Sequence, residues 1–169
     1  STCNGAGQSL RHRPSGADAY GMVSQEETVS IKIPAGVEDD MQLKVSGKGN
    51  EAPGQGLSGD LIVQISVKEH PQLKREGNHL HLDLYISISD AVLGTYNEID
   101  TVGGSVRIKL EAGIQSGKIL RLKGKGVPSL NGYGTGDLLV HVSVWTPEQL
   151  TKEQKQFFEQ HRIHENFKP

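Results

Sequence analysis

Few residue patterns in this chain could carry chemistry, and context weakens most of them. Gly54-Gln-Gly56-Leu-Ser-Gly59 satisfies the dinucleotide pattern G-x-G-x-x-G. That fingerprint must follow a strand and open a helix whose N-terminus holds a pyrophosphate. Here it precedes an apolar alternation, so its glycines read as turn residues. Gly47-Lys48-Gly49 and Gly124-Lys125-Gly126 lack the Walker spacing and read as hairpin turns with a solvated lysine. His79 and His81 would share a face of one strand and could offer two imidazoles to a metal. No Cys, Asp or Glu obviously completes that set, and a polar sheet face is the plainer account. His161 and His164 suit the end of a helix, where a cation meets the negative end of the dipole. No Ser-His-Asp or Cys-His constellation and no G-x-S-x-G is present. Asp39, Asp40, Asp83 and Asp100 fall near turns or polar strand faces rather than in paired catalytic positions. The reading is of a binding module and not an enzyme.

The bulk composition agrees. A net charge of −2 over 169 residues, with a pI near 6.4, gives no basic footprint for nucleic acid. No apolar run approaches the roughly 18 residues a membrane span needs. The single cysteine, Cys3, fits a reducing compartment, and a cytoplasmic location is expected. The 21 glycines imply many tight turns and disfavour helix over most of the length.

Strand patterns position these residues. Val29, Ile31 and Ile33 alternate with polar neighbours from Thr28, and Leu43 and Val45 form a short second alternation. Leu61 to Val67 gives a third. Leu80, Leu82, Leu84, Ile86 and Ile88 give the longest. Val106-Ile108-Leu110, Leu120-Leu122 and Leu138 to Val144 follow. The period then changes. Thr146-Pro147-Glu148 reads as an N-cap with proline at the first helical position, which predicts a helix over 147–161. Residues 1–25 show neither period and read as a loosely held arm.

A shift of 77 residues lays 29–67 on 106–144 without a gap. The identities include Gly36/Gly113, Leu43/Leu120, Gly47/Gly124, Gly49/Gly126, Gly59/Gly136, Asp60/Asp137, Leu61/Leu138 and Val63/Val140. They fall on turn glycines and alternate strand positions, the residues that set backbone geometry and core contact. The chain therefore reads as all-β: two tandem small β-sandwich-like subdomains of similar fold plus a C-terminal α-helix. The divisions are an arm at 1–25, part of a first subdomain at 26–72, a second at 73–146, and a helix and tail at 147–169.

Taken in order, Ile33-Pro34-Ala35-Gly36-Val37, Gly47-Lys48-Gly49, Gly59-Asp60-Leu61, His70-Pro71, Arg75 to Leu80, Ala91-Val-Leu93-Gly94, Gly117 to Gly126, Gly136 to Val140 and Thr146-Pro147 resemble the C-terminal region of DnaJ co-chaperones of the zinc-containing class. The resemblance covers about residues 26–161. It implies binding of unfolded client polypeptide, delivery to a seventy-kilodalton heat-shock chaperone, and a homodimer formed through the terminal helix. It also implies an apolar groove on the first subdomain that adds an extended client as a strand, which makes recognition promiscuous. A purely structural dimerisation module and a ligand-binding β-sandwich are the alternatives.

The departures are as informative. The J-domain with its His-Pro-Asp motif and the family's first hairpin are absent from this sequence. Cys3-Asn-Gly5-Ala-Gly7 matches the end of one zinc repeat, and Pro14 and Ala17 replace both cysteines of another. Zinc is expected for the full-length family. A tetrahedral site needs four ligands, however, so Cys3 is a lone remnant and no cofactor is expected in this chain. By position in the resemblance, Ile88, Ile86, Ile65 and Val63 are the candidate client-binding residues, with Ile86 and Ile88 on one strand face. Leu150, Phe157 and Phe158 are the candidates for dimerisation.

Overall fold

In a computed structural model, residues 15–17, 22–52, 56–130 and 132–169 are described. Most of the loosely held arm predicted at 1–25, with Cys3 and Pro14, lies outside them. The chain divides into two compact units, Ser1–Lys68 and Glu69–Pro169.

The first unit contains an antiparallel pair, β1 (Gln42–Val45) and β2 (Leu61–Gln64), with Leu43 opposite Val63. Leu43, Val45, Leu61 and Val63 point to one half-buried face, while Gln42, Lys44, Ile62 and Gln64 are exposed. That alternation is the one the side-chain period of a strand demands. The strand predicted from Thr28 is not formed, since residues 28–33 take no regular secondary structure. A strand is completed only by a neighbour's hydrogen bonds, and among the described residues none pairs with this segment. The equivalent residues of the second copy do have such a neighbour.

The second unit holds six strands. A four-stranded sheet has the order β3 (Leu73–Glu76), β4 (His79–Ser87), β8 (Leu138–Trp145), β7 (Ile119–Leu122), and β5 (Thr95–Thr101) pairs with β6 (Gly104–Leu110) as a separate ribbon. Gly77-Asn78 and Val102-Gly103 are two-residue hairpin loops, with Gly77 at φ 57°. β4 and β8 run parallel, Leu80 opposite Leu138 and Leu82 opposite Val140. Leu80, Leu82, Ile86, Leu138, Val140 and Val142 from the sheet meet Ile99, Ile108 and Leu110 from the ribbon in one core. Leu138, Val140 and Val142 are wholly inaccessible, and burial of side chains of this size stabilises by about 1.5–3 kcal/mol each.

The repeat is reproduced in three dimensions. β1 moved by 77 residues is β7, and the Leu43–Val63 pairing becomes Leu120–Val140. The Gly49 N–H donates to the Gly59 carbonyl at 2.8 Å, as Gly126 does to Gly136 at 2.8 Å. Ile65 donates to Met41, as Val142 does to Lys118. The shared Gly-Asp pair is a latch. Asp60 accepts from the Gly47 N–H at 3.0 Å and pairs with Lys44 at 2.6 Å. Asp137 accepts from the Gly124 N–H at 2.8 Å and pairs with Arg121 at 2.5 Å. One carboxylate thus closes each glycine turn onto its own hairpin, which accounts for both residue types without any catalytic role. The left-handed turn residue is Gly117 (φ 86°) in one copy and Asp40 (φ 60°) in the other. Asp is among the few side chains that tolerate that region.

Two helices differ from expectation. α1 (Ile88–Leu93) was not foreseen. Ser87 caps it by accepting from the Asp90 N–H at 3.0 Å, and Gly94 ends it at φ 76°. β4 therefore stops at Ser87, and Ile88 is the first helical residue rather than a further strand position on the face of Ile86. α2 runs from Lys152 to His161 and not from Pro147. Its cap is Thr151, which forms a capping box with Gln154: each accepts the other's backbone N–H, at 3.3 and 2.9 Å.

Candidate functional site

Three residues predicted for dimerisation, Leu150, Phe157 and Phe158, and one predicted for client binding, Ile88, meet at the end of the second unit. A cleft of about 530 Å³ lies between the start of α1, the segment after β8 and the first turns of α2. Ile88, Trp145, Pro147, Leu150, Phe157 and Phe158 supply its apolar lining. Ser87, Ser89, Gln149, Glu153 and Gln154 supply its polar rim. Phe157 and Phe158 meet edge to face, with ring centroids 5.6 Å apart, a preferred aromatic geometry. Phe157 also lies against the His161 ring at 4.3 Å. Phe158 is half-buried, whereas Phe157 is 50% and Trp145 57% exposed. Residues 147–150, predicted as the start of the helix, are not helical and instead contribute Pro147 and Leu150 to the cleft wall. Trp145 and Pro147 were not among the site residues expected from the sequence, where Pro147 was read as a helix start. An aromatic ending a strand just ahead of Thr-Pro was the available signal.

The other candidates lie elsewhere. Ile86 is 3% exposed and belongs to the core, so no ligand can reach it in this conformation. Val63 is in β2 and Ile65 directly follows it, both half-buried on the apolar face of the first unit. The second copy shows what such a face does when covered. Val140 and Val142, the equivalents of Val63 and Ile65, are wholly buried, and β4 pairs along the outer edge of β8. Among the described residues, β2 pairs with β1 alone. Backbone direction alternates along a strand. Ile65 bonds back to the β1 side, so Ile62 and Gln64 direct their N–H and C=O groups outward. The first unit therefore offers a half-buried apolar face beside an open strand edge.

A second cleft of about 550 Å³, floored by Leu82, Leu84 and Ile99 and rimmed by Asp83, Glu98 and Asp100, lies between β4 and β5. Asp137 is held below the ordinary carboxylate range, first by the Gly124 N–H and then by Arg121. That perturbation belongs to the turn latch and lies in neither cleft. Among the described residues, no three His, Cys, Asp or Glu side chains converge as a metal-ligand set. No helix there is long and apolar enough to cross a membrane.

The family model described as the DnaJ C terminal domain matches residues 2–147. This chain belongs to the DnaJ C-terminal domain family. Chaperone protein DnaJ of Bacteroides fragilis is 51% identical over 144 residues, covering 85% of this chain and 36% of that protein. The protein of the same name from Porphyromonas gingivalis is 47% identical, covering 85% and 38%. That from Nitrosomonas europaea is 41% identical over 160 residues, covering 95% and 43%. This DnaJ C-terminal domain thus spans under half the length of these relatives, which are named as chaperone proteins.

Proposed function

We propose that this DnaJ C-terminal domain binds unfolded or partly folded polypeptide as part of a co-chaperone and has no catalytic activity of its own. The observation that carries the reading is the edge of β2, unpaired among the described residues, beside its half-buried apolar face; in the second copy the same edge and face are occupied. A client segment lying along β2 would take the place that β4 takes on β8. Its backbone would supply the missing ladder bonds, and its apolar side chains would cover Leu61, Val63 and Ile65. Ladder bonds ignore sequence and the face accepts any apolar side chain, so many clients would fit.

In the same reading, Ile88 serves the second unit, in the cleft against α2, and Ile86 supports it from the core. Leu150, Phe157 and Phe158 form the surface through which α2 meets a second copy. The seventy-kilodalton heat-shock chaperone receives the client, in the cytoplasm. Neither nucleic acid nor membrane is a partner. Client binding at β2 requires no cofactor from this chain.

Ile62→Pro tests the edge. Proline removes one outward N–H, and its fixed φ is tolerated where a strand faces no neighbour. Fluorescence anisotropy with a labelled apolar heptapeptide should show binding to the parent and to Ile62→Val, and a loss of several-fold in Ile62→Pro. Equal binding by all three, with unchanged circular dichroism, would remove β2 as the site.

A further inference from the structure

The outer face of the four-stranded sheet carries a side-chain arrangement that neither client binding nor the fold requires. Side chains there alternate with the core residues, so His81 and Asp83 of β4 and His141 of β8 share this polar face. His81 Nδ1 and His141 Nε2 face each other at 2.9 Å, and the rings are nearly parallel, with centroids 5.2 Å apart. On the far side of the His81 ring, Nε2 meets a carboxylate oxygen of Glu76 at 3.0 Å. Asp83 stands opposite His141 in the strand register and is paired with Lys74 at 3.4 Å. The His81 side chain is only 24% exposed, so the strand framework holds the ring in place while one face stays open to solvent.

With both rings neutral, one tautomer set satisfies all three groups. His141 Nε2–H donates to His81 Nδ1, and His81 Nε2–H donates to Glu76. This leaves a His81 lone pair aimed at its neighbour and a carboxylate orienting the ring from behind. A carboxylate on the back nitrogen is the outer partner that metal-ligating histidines recurrently use.

We propose that His81 and His141 form a two-histidine chelate for a borderline divalent transition-metal ion, with Glu76 as the outer carboxylate. Metal–nitrogen distances of about 2.0–2.1 Å at a tetrahedral angle place two ligating nitrogens roughly 3.3–3.4 Å apart. The pair must therefore open by about 0.4–0.5 Å, and each ring must turn by roughly 35° so that both lone pairs converge on the ion. The His141 proton moves from Nε2 to Nδ1, both facing nitrogens present lone pairs, and the metal replaces the shared proton with no net change in protonation. Imidazole donors suit Zn²⁺, Ni²⁺ and Cu²⁺. Two protein nitrogens leave the remaining positions to water, so the ion would be exchangeable and not a structural staple. The proposed site draws on none of the zinc-repeat residues named from the sequence, and it departs from the expectation of a cofactor-free chain.

Ni²⁺ titration of the full chain carrying Cys3→Ser tests the proposal, because that background removes the thiol as a competing ligand. Calorimetry should find a site that weakens at least tenfold in His81→Gln and in His141→Gln and is unchanged in His164→Gln. Glu76→Gln should weaken it by about tenfold, the usual effect of losing an outer partner. Substoichiometric Ni²⁺ should also broaden the His81 and His141 imidazole resonances of the unsubstituted pair first, which a folding defect in a variant cannot imitate. Absence of binding at millimolar Ni²⁺, or broadening confined to other histidines, would reduce the pair to a hydrogen-bonded strand contact and overturn the proposal.

Discussion

Val63 and Val140 offer a matched experiment inside one molecule. They are the same residue, at the same strand position, opposite Leu43 and Leu120 in the same register. They differ in what covers them: Val140 is wholly buried and Val63 half-buried. Replacing valine with alanine removes the equivalent of two methylenes. At about 0.8 kcal/mol for each buried methylene, Val140→Ala loses roughly 1.6 kcal/mol of transfer free energy. The cavity left among Leu80, Leu82 and Leu138 raises the total to about 2–3 kcal/mol. Val63→Ala gives up about half the transfer contribution and opens no closed cavity, so it should cost under about 1 kcal/mol. The functional order is reversed. If a client covers Val63, its truncation should weaken an apolar peptide by about 0.8 kcal/mol, roughly fourfold, whereas Val140→Ala should leave peptide affinity unchanged. Urea unfolding measures the first pair of values, with Trp145 fluorescence reporting the second unit, and peptide anisotropy measures the second. Equal stability costs in the two copies would refute the inference that the first face is uncovered. Equal peptide affinities would refute its use as the client surface.

Other outcomes follow from the latches and caps. Asp137 has a folded-state pKa below its ordinary 3.8, so its contribution is present above the unfolded value and is lost as pH falls through the folded one. Unit 2 should therefore lose stability in acid, and Asp137→Asn should flatten that dependence in thermal melts recorded across the acid range. Thr151→Ala removes the acceptor of the capping box and should cost α2 about 1 kcal/mol, read as reduced ellipticity at 222 nm on heating. Phe157→Ser should shift sedimentation toward monomer if α2 joins two copies, and Ile163→Ser, farther along the chain, serves as the comparison.

The sequence alone determined the duplicated unit, because identities at turn glycines and alternate strand positions dictate backbone path and facing. Register, the Gly47 and Gly124 turns and the Gly-Asp latch all followed the 77-residue shift. What it could not decide was which elements find partners. The alternation at Val29–Ile33 has the composition of β6, yet among the described residues only β6 has a neighbour to complete its hydrogen bonds. Thr146-Pro-Glu-Gln149 and Thr151-Lys-Glu-Gln154 carry the same capping signature. The helix starts at the second, and the first segment contributes Pro147 to the wall of an apolar cleft instead. Ile86 and Ile88 belong to one unbroken alternation, but the Ser87 cap turns the chain and leaves one in the core and the other at the cleft. His81 and His141 are 60 residues apart and come together only because β4 and β8 pair in parallel. Local periodicity specifies a strand's two faces. Burial and partnership depend on what the rest of the chain brings to each face, and that is a property of the folded whole.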